Sequence, residues 1–342
     1  MTLSQAHAMS QWPRRLTLIP SGERAMPMNR VQFQPGVSMP EFFERYGTEE
    51  KCVAALTALR WPQGFRCPRC DSPAHYMVGH GSRRLFQCRG CRHQTSLTAG
   101  TVLDNTKLPL RTWFLAMFLI SQDKTGLSSL ALMRHLGTSY RTAWLIHHKL
   151  MAAMAEHDSH EPLSGSVQLD DAYLGGERPG VGGRGSPNKV PIVAAVQTND
   201  HGHPLRLKVS PVPTFSREAI ARWARLNLLP GTDVRSDGLA CFAGVIDAGC
   251  AHSYVVVAAR KPRELPQFTW VNTILGNLKT MIHGAHKAFK FGKYARQYLG
   301  AFAYRFNSRF NLAELLRNLL GHAALTAPTR ERQIRGMAEG HD

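Results

Sequence analysis

Apolar and polar positions along the chain fall into blocks of different period. Residues 1–38 show no period and are rich in Pro, Met, Ser and Gln, which predicts a loosely ordered leader. Residues 39–60 predict a short helical pair as a lead-in, and residues 61–100 are short-strand and turn material. Residues 107–157 carry helical spacing broken at Gly126 and Gly137. Beyond Ser164 the period shortens. SVQLDDAY (166–173), VPIVAAVQT (190–198) and HPLRLKVSP (203–211) predict three strands separated by turns. SREAIARWARLNL (216–228) predicts a helix capped by Ser216, and TDVRSD (232–237) a fourth strand. A short helix (GLACFAGVIDA), a fifth strand (SYVVVAA, 253–259) and a helix over WVNTILGNLKTM (270–281) follow. This order predicts an α/β domain with a mixed sheet over 164–315, within a chain that is multi-domain and α+β as a whole, and a basic, polar tail over 316–342.

The short-strand block contains Cys67-Pro-Arg-Cys70 and Cys88-Arg-Gly-Cys91, separated by seventeen residues. Each pair can form a tight knuckle that presents two thiolates to one tetrahedral zinc ion, with a hairpin carrying one knuckle to the other. Residues 61–100 are therefore expected to be a zinc ribbon. Cys52, Cys241 and Cys250 lack such spacing and are expected to be buried thiols. Arg60, Arg66, Arg69, Arg83, Arg84, Arg89 and Arg92 surround the ligands, opposed by Asp71, which points to phosphate as a partner.

Charge extends that picture to the whole chain. Forty-two Lys and Arg against 24 Asp and Glu give a net charge of +18 and a pI near 10.1, which favours polyanionic partners. Between Arg260 and Arg309 ten basic residues face one acid, Glu264, with aromatic residues interleaved, a pattern expected of a nucleic-acid surface. Residues 1–30 lack the apolar core of a signal peptide, and the longest apolar run, WFLAMFLI (113–120), is far short of a membrane span, so a cytoplasmic, nucleoid-associated protein is expected. Residues 127–151 resemble a helix-turn-helix. Gly137 sits at the turn, Thr138 or Ser139 caps the second helix, and Ser139, Tyr140, Arg141 and Thr142 occupy the turn that meets base edges in this motif. The competing reading is a plain helical hairpin packed beneath the sheet domain.

Acidic residues supply the chemistry. Asp170 and Asp171 end the first strand of the sheet domain, and Asp237 ends the fourth. Neighbours on a strand point to opposite faces, so one of the first two is expected at the site, and the alternation through Gln168 favours Asp170. Two strand-borne aspartates side by side repel unless a cation lies between them. On the last helix Asn272 and Lys279 are seven residues apart and share a face, whereas Asn277 does not share one with Lys279.

The ordered set LDDAYLGG, GVGGRGSPNK, SDGLACF, WVNTILGNLK and YLGAFAYRFNSRFNL, behind a four-cysteine ribbon, resembles bacterial insertion-sequence transposases with a zinc ribbon and a ribonuclease-H-like DDE domain. The likeness spans roughly residues 40–315. It implies a ribonuclease-H-like fold, two Mg2+ ions (Mn2+ in their place is compatible), and cutting and joining of double-stranded DNA at the element's ends by a homo-oligomer. Carried over by position, it implies Asp170, Asp237 and Asn272 as magnesium ligands, with Asn where the third acid of the family usually stands, and Lys279 on a phosphate. The loop over residues 175–189, basic at Arg178, Arg184 and Lys189, is expected to close over DNA. Two alternatives are a zinc-ribbon, helix-turn-helix DNA-binding protein with a decayed catalytic domain, and a ribonuclease or junction resolvase on the same fold.

Overall fold

The computed structural model describes residues 31, 33–79, 85–175, 189–256, 264–287 and 289–336. Residues 1–34 separate as a unit from residues 35–342, and the architecture below is that of the second unit. The first thirty residues of the expected leader lie outside the described ones.

The lead-in is the expected helical pair, α1 (Met39–Tyr46) and α2 (Glu49–Arg60). Ser38 and Glu41 cap α1 reciprocally and Thr48 caps α2, so each helix begins where a side-chain oxygen satisfies N–H groups that have no partner inside the helix. Three short strands, β1 (His75–Val78), β2 (Leu85–Cys88) and β3 (Gln94–Ser96), form an antiparallel sheet. Helix α3 (Leu110–Gln122) buries Trp113, Phe114, Met117 and Ile120. Helices α4 (Ser129–Leu136) and α5 (Tyr140–Ser159) meet at Gly137, whose φ of 62° lies in the left-handed region that suits a residue without Cβ. Ser139 then caps α5 by accepting the Thr142 N–H.

The second half is built on a five-stranded mixed sheet. Strands β4 (Ser166–Leu174), β5 (Val190–Thr198) and β6 (Pro204–Pro211) are antiparallel. After α6 (Arg217–Asn227), β7 (Asp233–Ser236) adds parallel to β4, and after a 3-10 helix (Ala240–Ala248), β8 (Ala251–Tyr254) adds parallel to β7. The spatial order is β6-β5-β4-β7-β8, an α/β arrangement of the ribonuclease-H-like kind. Strand alternation sends Val167, Leu169, Val193 and Ala195 towards α6 and the 3-10 helix, and Ile192, Ala194 and Val196 towards the opposite face. That opposite face is covered by α7 (Thr269–Met281) and α8 (Phe291–Asn307).

Two expectations need correction. Residues 316–342 are not a polar tail as far as Leu325. Helix α9 (Leu312–Leu325) buries Leu315, Leu316, Leu319 and Leu320, a 3.6-residue stripe that joins the core of α1–α5 and the ribbon. A short α10 (Glu331–Gly336) follows, anchored by buried Ile334. The basic and aromatic run over 260–309 is also less of a surface than its composition implies. Phe291, Phe302 and Phe306 pack against the sheet-side core, and Tyr298 and Tyr304 join the other core. Arg305 is half-buried, and desolvation lowers its pKa to about 10. Arg309 donates to the carbonyls of Leu205 and Pro204 and stacks on Phe306 and Phe310. The fifth strand begins at Ala251, and the end expected for it at 257–259 lies outside the described residues.

Beneath α5 lies a layer of buried histidines. His147 and His148 are 2 % and 1 % exposed, and neither ring nitrogen of His148 has a hydrogen-bond partner among the described residues. Desolvation, then the charges of Arg335 and His286, pushes His148 down to about 4. His286, beside Arg305 and Asp123, is pushed down to about 4 by burial, and His322 to about 4 by burial and His157. A histidine whose pKa is lower folded than unfolded contributes stability that is complete above the unfolded value and is lost as pH falls towards the folded one. The melting temperature is therefore expected to fall between pH 6.5 and pH 4, each group adding up to about 1.4 kcal/mol per pH unit. Thermal melts of wild type and His148→Phe across that range check this, with a shallower decline expected for the variant.

Candidate metal centres and active site

The ribbon brings its four cysteines together as the spacing implies. Their sulfur atoms lie within 4.8 Å of one another, with Cys67–Cys91 and Cys70–Cys88 at 3.5 Å. That is far beyond a disulfide bond of about 2.05 Å and close to the separation of ligands on a tetrahedral ion with Zn–S near 2.3 Å. The two knuckles repeat one geometry. Asp71 donates its N–H to the Cys67 carbonyl, and Cys67 donates to Ser72; Arg92 donates to Cys88, and Cys88 donates to His93. Asp71 and Arg92, each following a knuckle's second cysteine, have φ of 57° and 58°, the reversal that turns the chain back around the ligands. Backbone N–H groups of Cys91 and Gly90 point at the Cys88 sulfur and help draw its pKa down to about 6, favouring the thiolate that a metal requires. Of the surrounding arginines, Arg60 is tied to the carbonyls of Ser96, Leu97 and Ala99, and Arg66 pairs with Asp71 at 2.8 Å. Arg69, Arg89 and Arg92 are exposed, while Arg83 and Arg84 lie outside the described residues.

The second centre sits where β4 and β7 part. Their parallel pairing ends at Gln168–Arg235, and past that point β4 is paired only with β5. Into the resulting gap come Asp170 and Asp171 from β4 and Asp237 from the end of β7, with one carboxylate oxygen of each within 4.8 Å of the others. Strand alternation alone had left Asp171 on the far side. Its carboxylate nonetheless joins the cluster, and its N–H donates to Asp170 Oδ1 at 2.8 Å. Asp237 Oδ1 accepts the Leu239 N–H at 3.1 Å, which holds the side chain in place as the chain turns.

Helix α7 forms the opposite wall. Asn272, Leu275, Gly276 and Lys279 line a cleft of about 560 Å3 together with Asp170, Asp171, Tyr173 and Lys189. Positions i, i+3, i+4 and i+7 form one helical face, which explains why Asn272 and Lys279 meet the cleft and Asn277 does not. The three clustered carboxylates form an oxygen-only donor set that suits a hard divalent cation such as Mg2+ or Mn2+ rather than zinc. Asn272 shares the cleft with Asp170 and Asp171, and Asp237 is not among the residues that line it.

The remaining expected contacts divide. Ser139 and Thr142 spend their hydroxyls on each other at 3.0 Å, and the Ser139 Oγ also caps α5. Arg141 is 77 % exposed yet pairs with Glu331 of α10 at 2.9 Å. Most of α5 beyond its first two turns is core, so the hairpin reading describes its length and the exposed first turn is what remains for a partner. Arg184 and most of the 175–189 loop lie outside the described residues. No helix among the described residues is long and apolar enough to cross a membrane.

A four-cysteine ribbon ahead of a ribonuclease-H-like domain with clustered strand-tip acids is also the order in which two transposase family models match the chain. Residues 162–307 match the ISXO2-like transposase domain, and residues 47–94 match the transposase zinc-ribbon domain. A protein described as an uncharacterized protein in transposable element ISH50, from Halobacterium salinarum, is 29 % identical over 130 residues. That match spans 37 % of this chain and 42 % of the relative, so the chain covers less than half of its length. The chain belongs with insertion-sequence transposases that carry an N-terminal zinc ribbon.

Zinc is the metal that the ribbon and its four thiols support. The purified protein is expected to hold one zinc per chain. Cys70→Ser and Cys88→Ser should each lose it and lower the melting temperature, because a closed site of this kind contributes directly to folding. Metal released on thiol modification, quantified beside thermal melts, checks this; a fully folded wild type without zinc would contradict it.

Proposed function

We propose that the chain is a magnesium-dependent DNA transposase that binds the ends of its element, cleaves them, and joins them to target DNA. The observation that carries this reading is the convergence of Asp170, Asp171 and Asp237 within 4.8 Å, with Asn272 and Lys279 of α7 lining the cleft that Asp170 and Asp171 also line. Asp170, Asp237 and the Asn272 carbonyl would hold the ions. Bound magnesium supplies Lewis-acid stabilisation of phosphoryl oxygens and a more acidic water.

The chain's own residues supply the rest. The ammonium groups of Lys189 and Lys279, flanking the carboxylates, fix a phosphodiester against the site and offset the charge of its oxygens. The first turn of α5, with Arg141, offers donors to a DNA groove, and the exposed ribbon arginines offer further phosphate contacts. Cleavage leaves a 3′-hydroxyl that can serve as the next nucleophile, so no serine or tyrosine of the protein need bond to DNA. Binding two ends at once calls for a homo-oligomer, and the reaction belongs in the cytoplasm beside the nucleoid.

Asp170→Ala and Asp237→Ala are expected to abolish strand cleavage of a duplex carrying the element's end while leaving its affinity unchanged. Lys279→Ala should weaken binding and reduce the slope of log affinity against log salt by about 1. Gel-based cleavage and fluorescence binding across a salt series measure both. Undiminished cleavage by Asp170→Ala would sink the catalytic reading, and equal cleavage of a branched junction or an RNA–DNA hybrid would reassign the substrate.

A further inference from the structure

Helix α7 carries two residues of the proposed site, yet it begins without a cap of its own. Its preceding residue is Phe268, which provides no side-chain acceptor. The first N–H groups of a helix lack partners within it, and a Ser, Thr or Asp at the cap position normally takes those of the second and third residues. In α7 these residues are Trp270 and Val271. Both donate to one atom, Oε1 of Gln168, each at 3.1 Å.

Gln168 is not part of the helix. It lies on β4, 9 % exposed, one residue of alternation before Asp170 and on the same face of the strand. Asn272 is the residue immediately after the second capped N–H. One buried amide oxygen thus connects the strand that bears Asp170 to the helix that bears Asn272, two residues from the first and one from the second. Trp270 adds a tie from the other side by donating its indole N–H to the Gly202 carbonyl at 2.6 Å.

We propose that Gln168 is a positioning residue: by capping α7 from β4, it sets the depth and rotation at which Asn272 and Lys279 face the carboxylates. The proposal rests on the catalytic reading above. A strand-borne acceptor fixes the helix in two respects that a local cap does not. A local cap would satisfy the same N–H groups but travel with α7, whereas Gln168 stays with the sheet. Sliding or rotating the helix on the sheet breaks both bonds at once. Apolar contacts of Val271, Ile274 and Leu278 hold α7 against the sheet but tolerate small shifts, because dispersion is not directional. The hydrogen bonds supply the direction, and a misplacement of about 1 Å at a reacting centre can cost on the order of a hundredfold in rate.

Three variants separate positioning from mere stability. Gln168→Met keeps length and volume but removes the acceptor. Gln168→Glu keeps the acceptor and adds a charge that suits a helix N-terminus. Gln168→Asn keeps an amide on a shorter stem. Single-turnover cleavage of an end-bearing duplex, the DNA dissociation constant and Mn2+ binding followed by electron paramagnetic resonance are measured well below each variant's melting temperature. Gln168→Met and Gln168→Asn are expected to slow cleavage by about ten- to a hundredfold, weaken Mn2+ binding and leave DNA affinity within about twofold of wild type. Gln168→Glu should retain cleavage and Mn2+ binding. If Gln168→Met cleaves and binds Mn2+ as wild type does, or if Gln168→Glu loses both, the proposal is overturned. If wild type itself neither cleaves nor binds Mn2+, the catalytic reading fails instead. In wild type alone, the Trp270 and Val271 amides should be protected in hydrogen exchange, and rapid exchange of both would also overturn the proposal without any variant having to fold.

Discussion

Helix α8 is the wall on which the two halves of the molecule depend. Its residues divide between two cores. Ala295, Leu299 and Ala303 face the sheet and α7, while Tyr298, Ala301 and Tyr304 face the core of α1–α5 and α9. A helix apolar on two sides cannot be exposed on either without losing burial that holds it in place. The α5–α8 contact is close enough that a Cβ on Gly300 would lie 2.3 Å from the Ala155 Cβ, so only glycine admits this approach. At the same junction Asp158 of α5 meets Lys208 of β6 at 3.3 Å, and Asn307 donates to Asp158 at 2.5 Å. Asn307 also accepts the Leu207 N–H and donates to its carbonyl, substituting for a strand at the sheet edge. Lys208 and Asp158 are both buried, so removing either partner would leave an uncompensated charge. Through this network α5 is fastened to the sheet that holds the acids.

How much of this the sequence discloses depends on how local the cause is. The ribbon was legible because a knuckle is a contiguous turn: its spacing, its αL residue and its ligands lie within six positions of each other. Strand and helix periods were legible over β4–β6, α6 and α7 because alternation with a buried face repeats within each segment. Asn272 and Lys279 share a face for the same reason. What was not legible came from pairing between distant segments. That the Asp171 carboxylate joins the cluster follows from how β4 and β7 meet in space and is not implied by alternation within the LDDAY stretch. The role of Gln168 is invisible without knowing which helix begins above it.

Charge was the least transferable signal. A run rich in Lys, Arg and aromatic residues has the composition of a nucleic-acid surface, but composition does not say which way a side chain points. Tyr298 and Tyr304 fill a core, Arg305 is half-buried and desolvated, and Arg309 caps strand carbonyls between two phenylalanine rings. Each of these uses is as demanding of a large, long or delocalised side chain as DNA would be. The stripe of leucines in α9 shows the converse, since a segment expected to be a polar tail carried a helical period of its own.

The amide at position 272 also changes meaning once the site is assembled. Counting only Asp170, Asp237 and Asn272, the site carries two negative charges where a third acid would give three. Asp171 restores the third carboxylate from the neighbouring position on β4. On the proposed reading the total charge offered to divalent cations is then unchanged, but its placement differs, with all three carboxylates on the sheet side and a neutral dipole on the helix side. Lys279, two turns further along α7, therefore stands on a wall with no acid to neutralise it among the residues lining the cleft on that helix. On that reading an ammonium so placed engages a phosphate, while the negative charge offered to cations stays with the strands and α7 adds a neutral carbonyl. On the same reading the carboxylates stand on the sheet while the amide carbonyl and the ammonium stand on α7, which makes the relative position of β4 and α7 the quantity on which the chemistry turns.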